Sequence, residues 1–257
     1  ANSTKPYDFI IENLKIQTNL IEISFLTGVK RLLFLGSSCI YPKFAKQPIK
    51  EEYLLSGQLE PTNEFYAIAK IAGLKLCESL NIQHNFDAIS LMPTNLYGPG
   101  DNYHFANSHV LPSLIRKFHT AKKESKNIVT CWGTGNPLRE FLYVDDLAEA
   151  CIFTLEKWKP SRENLSKLEK EKSLNLINVG SNSEVTIKEL AEKVAQIIGF
   201  KGEILWDKSK PDGTPRKKLD TSKINNLGWE AKTSLDEGIK KTIFFYEQAL
   251  VDNTLRE

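Results

Sequence analysis

The sequence predicts an α/β fold with a parallel sheet, on three observations. Long helical patterns alternate with short apolar strands through the first ninety or so residues. The runs at 31–36 and 87–92 are near-continuous apolar stretches, as strands covered on both faces are. The first of them ends in the hydroxyls Ser37 and Ser38, and a helix about thirty residues later carries Tyr66 and Lys70 four positions apart. Ligands of open α/β sheets gather at the carboxyl ends of the strands.

Taken in order, residues 9–26 hold ten large apolar side chains in eighteen positions. That surface is too wide for one stripe, so this helix is expected to bury two faces, with Gly28 as its C-terminal cap. Residues 31–36 are the first strand, and the second long helix runs from 64 to about 83. Residues 87–92 form a strand closed by Pro93. The run NLYGPGDN at 95–102 is dense in turn residues and reads as a loop. A helix with a basic end is expected over 108–121, then a strand over 127–132 and a turn over 133–137. A strand over 139–144 leads into a helix over 145–157, whose two opening acids suit a positive helix start. Residues 174–179 read as a strand. Thr186 and Glu189 have capping-box spacing ahead of a helix to 198. Residues 201–206 look extended and 211–216 are a loop. Ser234 and Glu237 repeat the capping-box spacing before the last helix. There is no internal repeat or low-complexity segment.

Composition narrows the class. The chain has 257 residues, 41% hydrophobic and 26% charged, enough apolar material for a sizeable core. A net charge of +2 makes no case for a nucleic-acid partner, and the Lys-rich stretch 157–172 alternates with Glu as a solvated face does. Four scattered cysteines with no paired spacing predict reduced thiols in a cytoplasmic protein and no metal site. No apolar run reaches the ~18 residues that span a bilayer, so no membrane partner is expected. The N-terminus has no signal-peptide pattern. The chain opens on a polar turn and its one Met, Met92, is internal, which leaves open either a removed initiator Met or a missing upstream segment ahead of Ala1.

The candidate chemistry starts from Tyr66 and Lys70, which share a helix face one turn apart. A neighbouring ammonium favours phenolate and is expected to lower the phenol's pKa, suiting it to exchange a proton with a carbonyl or alcohol oxygen. Ser37 could hydrogen-bond that oxygen, or with Ser38 simply cap a turn. Cys39 could act as a base or pack as an inert small hydrophobe, and the residues alone favour the second. His109 is a natural proton shuttle near neutral pH, though a lone His is more commonly structural. A Cys and a His on opposite sides of a substrate carbon would make a base and acid for inverting a stereocentre. Lys117, Arg139, Trp132 and the 212–216 loop offer charge and an aromatic face to a nucleotide or phosphate, or serve surface and core. No Gly-rich turn follows a strand, although a dinucleotide site needs one; Gly133 and Gly135 belong to a turn.

Six runs carry a resemblance: GSSCIYPK at 36–43, EPTNEFYAIAK at 60–70, MPTNLYGP at 92–99, NSHVLP at 107–112, PLREF at 137–141 and PDGTPRK at 211–217. They resemble the GDP-L-fucose synthases of the extended short-chain dehydrogenase/reductase family, over nearly the whole chain. The resemblance implies a partial Rossmann-like doubly wound parallel sheet lacking its first strands, with a smaller interleaved α/β substrate domain. Residues 1–96 and about 145–180 would be what remains of the NADP-binding domain. Residues 97–144 and 181–257 would be mainly substrate domain.

The implied reaction is NADPH-dependent 3,5-epimerisation and 4-reduction of GDP-4-keto-6-deoxy-D-mannose. Ser37, Cys39, Tyr66, Lys70 and His109 would be catalytic, with Cys39 and His109 inverting C3 and C5 and Tyr66 protonating O4. Gly36, Ser37, Ser38, Tyr66, Lys70, Pro93, Thr94, Asn95, Leu96 and His109 would hold NADPH. Lys117, Trp132, Arg139 and Asp212 would hold the GDP-sugar, although position 117 is more familiar as Arg. A homodimer through helices 9–26 and 64–83 is implied. The family begins with a further ~70 residues that carry the Gly-rich loop, so the chain reads as a fragment. Two alternatives stand beside this reading. One is another nucleotide-sugar epimerase or dehydratase of the same family, and the other a non-catalytic GDP-sugar-binding or dimerisation remnant.

Overall fold

The computed structural model describes residues 4–159 and 175–257. Its elements are α1 (Pro6–Leu26), β1 (Arg31–Leu35), α2 (Glu64–His84), β2 (Asp87–Pro93), β3 (Asn95–Tyr97), α3 (Val110–Lys123), β4 (Ile128–Trp132), β5 (Leu138–Tyr143), α4 (Val144–Lys157), β6 (Leu176–Val179), β7 (Glu184–Thr186), α5 (Ile187–Ile198), β8 (Glu203–Asp207), β9 (Arg216–Lys217), α6 (Ser222–Asn226) and α7 (Leu235–Val251). Two compact units share the chain. The first holds residues 1–94, 147–182 and 219–230, and the second holds 95–146, 183–218 and 231–257. Most of the Lys-rich stretch at 157–172, and the start of the strand expected from 174, lie outside the described residues.

The first unit is built on a parallel sheet in the order β1-β2-β6. Arg31 to Leu35 run beside Asp87 to Leu91, and Ser90 to Pro93 beside Leu176 to Val179. The central β2 is buried from Ala88 to its end, which accounts for a sequence that is apolar there except at Ser90. Pro93 closes it without cost to the ladder, because the next amide, Thr94 N, reaches Val179 O at 3.0 Å.

Helices α1 and α2 pack closely at a bare position. A Cβ on Gly73 would lie 2.6 Å from Phe34 Cζ and 2.7 Å from Gln17 Cδ. Gln17 Nε2 uses that notch to donate to Ala69 O at 2.5 Å. Within the chain itself α1 buries one of the two faces expected of it. Gln17 and Ile21 are its buried residues, while Tyr7, Ile16, Leu20, Ile23 and Leu26 are exposed. The first unit covers a single face of that helix.

A buried polar knot ties this unit's loops to β6. Tyr41 Oη donates to Asn178 Oδ1 (2.6 Å), and Asn178 Nδ2 donates to Ile49 O (2.9 Å) and Asp220 O (3.1 Å). Burial raises the Glu51 carboxyl above its ordinary value of 4.5, against a hydrogen bond from Asn178 N (2.9 Å) and the charge of Lys223. A carboxyl raised in the folded state adds stability that is full below the ordinary value and is lost as pH rises through the folded one. E51Q keeps an acceptor without the charge. It is therefore expected to melt above the parent at about pH 7 and to lose that margin by about pH 4, in thermal scans at the two pH values.

The second unit joins β3 in parallel to the far half of β5, with antiparallel β7 and parallel β9 on the near half. β4 and β8 form a separate parallel pair. Its core surrounds Phe118, Ile115, Leu190, Val194 and Ile239. Residues 95–97, expected as loop, are a strand instead. Tyr97 is buried edge-on against Phe141 (6.3 Å) and Tyr143 (5.7 Å), a contact that outweighs the turn-rich composition. Arg216, the last residue of the expected loop, likewise pairs with β5 together with Lys217, and it grips Glu184 with two bonds of 2.9 and 2.7 Å. Helix α3 starts at Val110, two residues after the expected start, because His109 is extended (φ −69, ψ 167). The capping box of α5 is closed in both directions. At α7 only half of one forms: Ser234 Oγ accepts from Glu237 N, while the Glu237 carboxylate pairs with Lys241 at 2.8 Å.

Candidate active site

Strand β1 delivers the chain to its carboxyl end beside β2, where Gly36 N donates to Leu91 O at 2.9 Å. A Cβ at Gly36 would lie 2.2 Å from Met92 Cε, so a side chain here would require the buried Met92 to move. Ser37 follows in extended conformation (φ −159, ψ 147), and its Oγ accepts from Cys39 N at 3.2 Å, opening the single turn 38–40. Ser37 is also hydrogen-bonded to Tyr66. This serine therefore caps the turn, as one reading of it expected, and also meets the phenol. Ser38 is buried and Cys39 half-buried.

Tyr66 lies in the first turn of α2, and Lys70 in the next. Lys70 Nζ donates to Leu35 O at 3.1 Å and sits 5.1 Å from the Phe34 ring centroid and 5.8 Å from that of Tyr66. The expected acidification of the phenol does not occur. Burial raises the Tyr66 pKa above its ordinary value, and charge on Cys39 raises it further. The Ser37 hydrogen bond pulls the other way and does not prevail. Burial also lowers the Lys70 pKa, and its ammonium is directed at a carbonyl and an aromatic face. At neutral pH the polypeptide presents a protonated phenol.

Cys39 has a partner that the sequence reading missed. Asn63 Nδ2 donates to its Sγ at 3.3 Å. An Asn one residue ahead of a helix reads as a cap, so no local signal marked it. Pro93 and Thr94 lie at the carboxyl end of β2, next to Gly36 across the sheet. Asn95 and Leu96 open the second unit, where Asn95 Nδ2 donates to Glu140 O at 2.8 Å.

The remaining candidates belong to the second unit. His109 is exposed at the start of α3 and makes no side-chain cap. Lys117 comes eight residues on, about 12 Å along the helix axis. Its Nζ lies 5.6 Å from the centroid of the exposed Trp132 ring and 3.4 Å from Thr130 O, and Lys210 Nζ approaches the same ring at 5.7 Å. Beside it a pocket of about 310 Å³ is lined by Arg116, Lys117, Thr120, Lys126, Ile128 and Thr130 among others. Arg139 Nη1 donates to Leu138 O at 2.8 Å. Asp212 accepts from Thr134 N (2.7 Å) and Thr134 Oγ1 (2.8 Å), which lower its carboxyl pKa, aided by the Arg139 charge. It clamps the 133–135 turn. Among the described residues no group of His, Cys, Asp and Glu could hold a metal ion, and no helix is long and apolar enough to cross a membrane.

The first unit thus brings Ser37, Cys39, Tyr66 and Lys70 to one strand end, and the second brings Lys117 to Trp132 and Arg139 to Asp212. Comparison with known proteins agrees in kind. "Probable GDP-L-fucose synthase 1" of Oryza sativa subsp. japonica is 58% identical over 252 residues, covering 98% of this chain and 73% of that protein. "GDP-L-fucose synthase" of Escherichia coli (strain K12) is 52% identical over 243 residues, covering 94% and 74%. The crystal structure of a GDP-L-fucose synthetase from Naegleria fowleri bound to NADP superposes with a TM-score of 0.84 at 27% identity, covering 97% of this chain and 75% of that one. Residues 1–166 match the family described as NAD dependent epimerase/dehydratase, and with relatives this similar over nearly its whole length the chain belongs to that family.

Proposed function

We propose that this chain converts GDP-4-keto-6-deoxy-D-mannose to GDP-L-fucose by NADPH-dependent 3,5-epimerisation and 4-reduction. The observation that carries the reading is a thiol and a reductase hydroxyl pair in one cluster. Cys39 lies close enough to Tyr66 to raise its pKa, and Ser37 hydrogen-bonds the same phenol. A plain ketone reductase needs the phenol and serine; a sulfur base beside them gives a second activity, proton removal from carbon.

The residues at the strand ends fit the nicotinamide half of the cofactor. Gly36, Ser37, Ser38 and Thr94 lie where β1 and β2 end side by side, with the Lys70 ammonium at Leu35 O. Pro93, Asn95, Leu96 and His109 complete the proposed cofactor set. NADPH supplies the hydride for C4.

Epimerisation comes first. The Cys39 thiolate takes a proton from C3 or C5, the C–H electron pair becomes a C–C π bond, and the charge moves onto the 4-keto oxygen. His109 returns a proton to the opposite face, and the ketone re-forms inverted. On reduction at C4 the oxygen gains negative charge, Ser37 holds it, and Tyr66 donates its phenolic proton. The raised Tyr66 pKa suits this role, because the group must arrive protonated. Lys117, Trp132, Arg139 and Asp212 hold the GDP moiety, Trp132 by its exposed ring and the two cations by charge.

The first unit serves as cofactor domain and the second mainly as substrate domain. The exposed apolar side chains of α1 (Ile16, Leu20, Ile23) and α2 (Phe65, Ile68, Ile82) support a homodimer through these helices. Four cysteines free of disulfides support a cytoplasmic location. Incubation with the keto sugar and NADPH is the test. The expected product is inverted at C3 and C5 and consumes one NADPH per sugar, and sedimentation equilibrium is expected to give about twice the chain mass. A reduced product that keeps the D-configuration at both carbons would make the chain a simple reductase, and no reduction at all would make it a binding remnant.

A further inference from the structure

Asn63 is built into the fold in a way that stability does not explain. It stands immediately before α2 at φ −135 and ψ 15, in the cap position, yet its side chain makes no cap hydrogen bond. Asn is among the strongest capping residues, so α2 forgoes a stabilising contact at this end. The amide turns away instead, and Nδ2 donates to Cys39 Sγ at 3.3 Å, twenty-four residues back in the chain. Its Oδ1 is buried with no hydrogen-bond partner, a cost that native structures rarely carry without a reason.

The surrounding chain holds this amide in place. Asn63 N donates to Glu60 O at 3.1 Å, closing the turn 61–63. That turn is stitched to the loop after Cys39 by Lys43 N to Gln58 O (2.9 Å) and by the Lys43–Glu60 ion pair (2.9 Å). The donor and the sulfur are therefore fixed on two strapped loops, at the start of the helix that carries Tyr66.

We propose that Asn63 is a positioning residue whose amide N–H keeps Cys39 in its thiolate form, aimed at the substrate. A thiolate sulfur accepts hydrogen bonds and has none to give, so a fixed donor at its side favours the charged form over the thiol. The consequence for epimerisation rests on the function proposed above. The titratable groups at this end are Glu60, Glu64, Tyr66 and Lys70, with Lys43 paired to Glu60. Tyr66 and Lys70 remain in every variant below, so a change in the sulfur's behaviour reports on Asn63.

The experiment compares the parent with Asn63→Ala and the near-isosteric Asn63→Asp. Iodoacetamide labelling of the Cys39 peptide, followed by mass spectrometry across pH without substrate, reads the thiolate directly. The labelling midpoint is expected to rise by about one to two pH units in Asn63→Ala, as loss of a hydrogen bond to a charged group predicts. It is expected to rise further in Asn63→Asp, where a carboxylate repels the sulfur. With substrate, solvent deuterium entry at C3 and C5 is expected to fall about tenfold or more, while reduction of pre-epimerised sugar stays within about twofold. A midpoint unchanged in both folded variants overturns the inference. If the midpoint shifts but Cys39→Ser still exchanges deuterium, the thiolate assignment stands and the epimerase reading falls.

Discussion

Tyr66→Phe is expected to lower the rate of 4-reduction by about 10²–10⁴-fold, the usual contribution of a positioned general acid. The ring and its packing survive this change, so substrate affinity is expected to move little and the loss to fall on kcat. Proton exchange at C3 and C5 should continue, because the thiol and imidazole assigned to it are untouched. Burial, and then charge on Cys39, hold the Tyr66 pKa above its ordinary value of 10.0. Reduction is therefore expected to be independent of Tyr66 ionisation through neutral pH and to fail only in strongly alkaline solution. Steady-state kinetics with pre-epimerised substrate across pH provide the check. A Phe variant that reduces within tenfold of the parent would remove Tyr66 from the proton-donor role, and an activity rising from neutral pH towards the ordinary tyrosine range would mean the phenol works as phenolate.

Cys39→Ser should have the opposite signature. A serine hydroxyl is almost never ionised near neutral pH, so deuterium exchange at C3 and C5 is expected to fall by about 10²–10⁴-fold. Reduction of sugar already inverted at both carbons is expected to persist, since Ser37, Tyr66 and Lys70 keep their contacts. The change also removes from beside Tyr66 a charge that raises its pKa, so the alkaline limit of reduction is expected to move down. Exchange measured by mass spectrometry in deuterated buffer, with reduction assayed in parallel, separates the two activities. Full exchange in the Ser variant would show that another group is the base.

Much of this architecture was legible before any coordinates. The capping box at Thr186 and Glu189 formed as its spacing required, because its partners lie within one helical turn. The run at 87–93 became β2 because burial from Ala88 onward leaves little room for polar residues, Ser90 apart. β1, expected to be covered on both faces, is only partly buried at the end of the β1-β2-β6 order, with Leu35 exposed. The strands β3, β7 and β9 were not legible. Each has two or three residues, and each exists because β5 offers an edge from elsewhere in the chain. The α1 pattern was read correctly as broadly apolar, but which part of that surface the chain itself covers depends on the Gly73 notch, fifty-six positions from Gln17.

At the site the division is the same. Sequence alone determined that Tyr66 and Lys70 share a helix face, that Ser37 ends a strand, and that Cys39 lies two residues beyond it, because these relations are short-range and follow from helical and strand periods. Only the tertiary structure decided the charge state of the phenol, the Asn63 contact to the sulfur and the direction in which Lys70 points. Desolvation is summed over everything packed around a group, and a hydrogen bond between residues 39 and 63 needs two loops brought together by the sheet, so neither can be read from the neighbours a residue has along the chain.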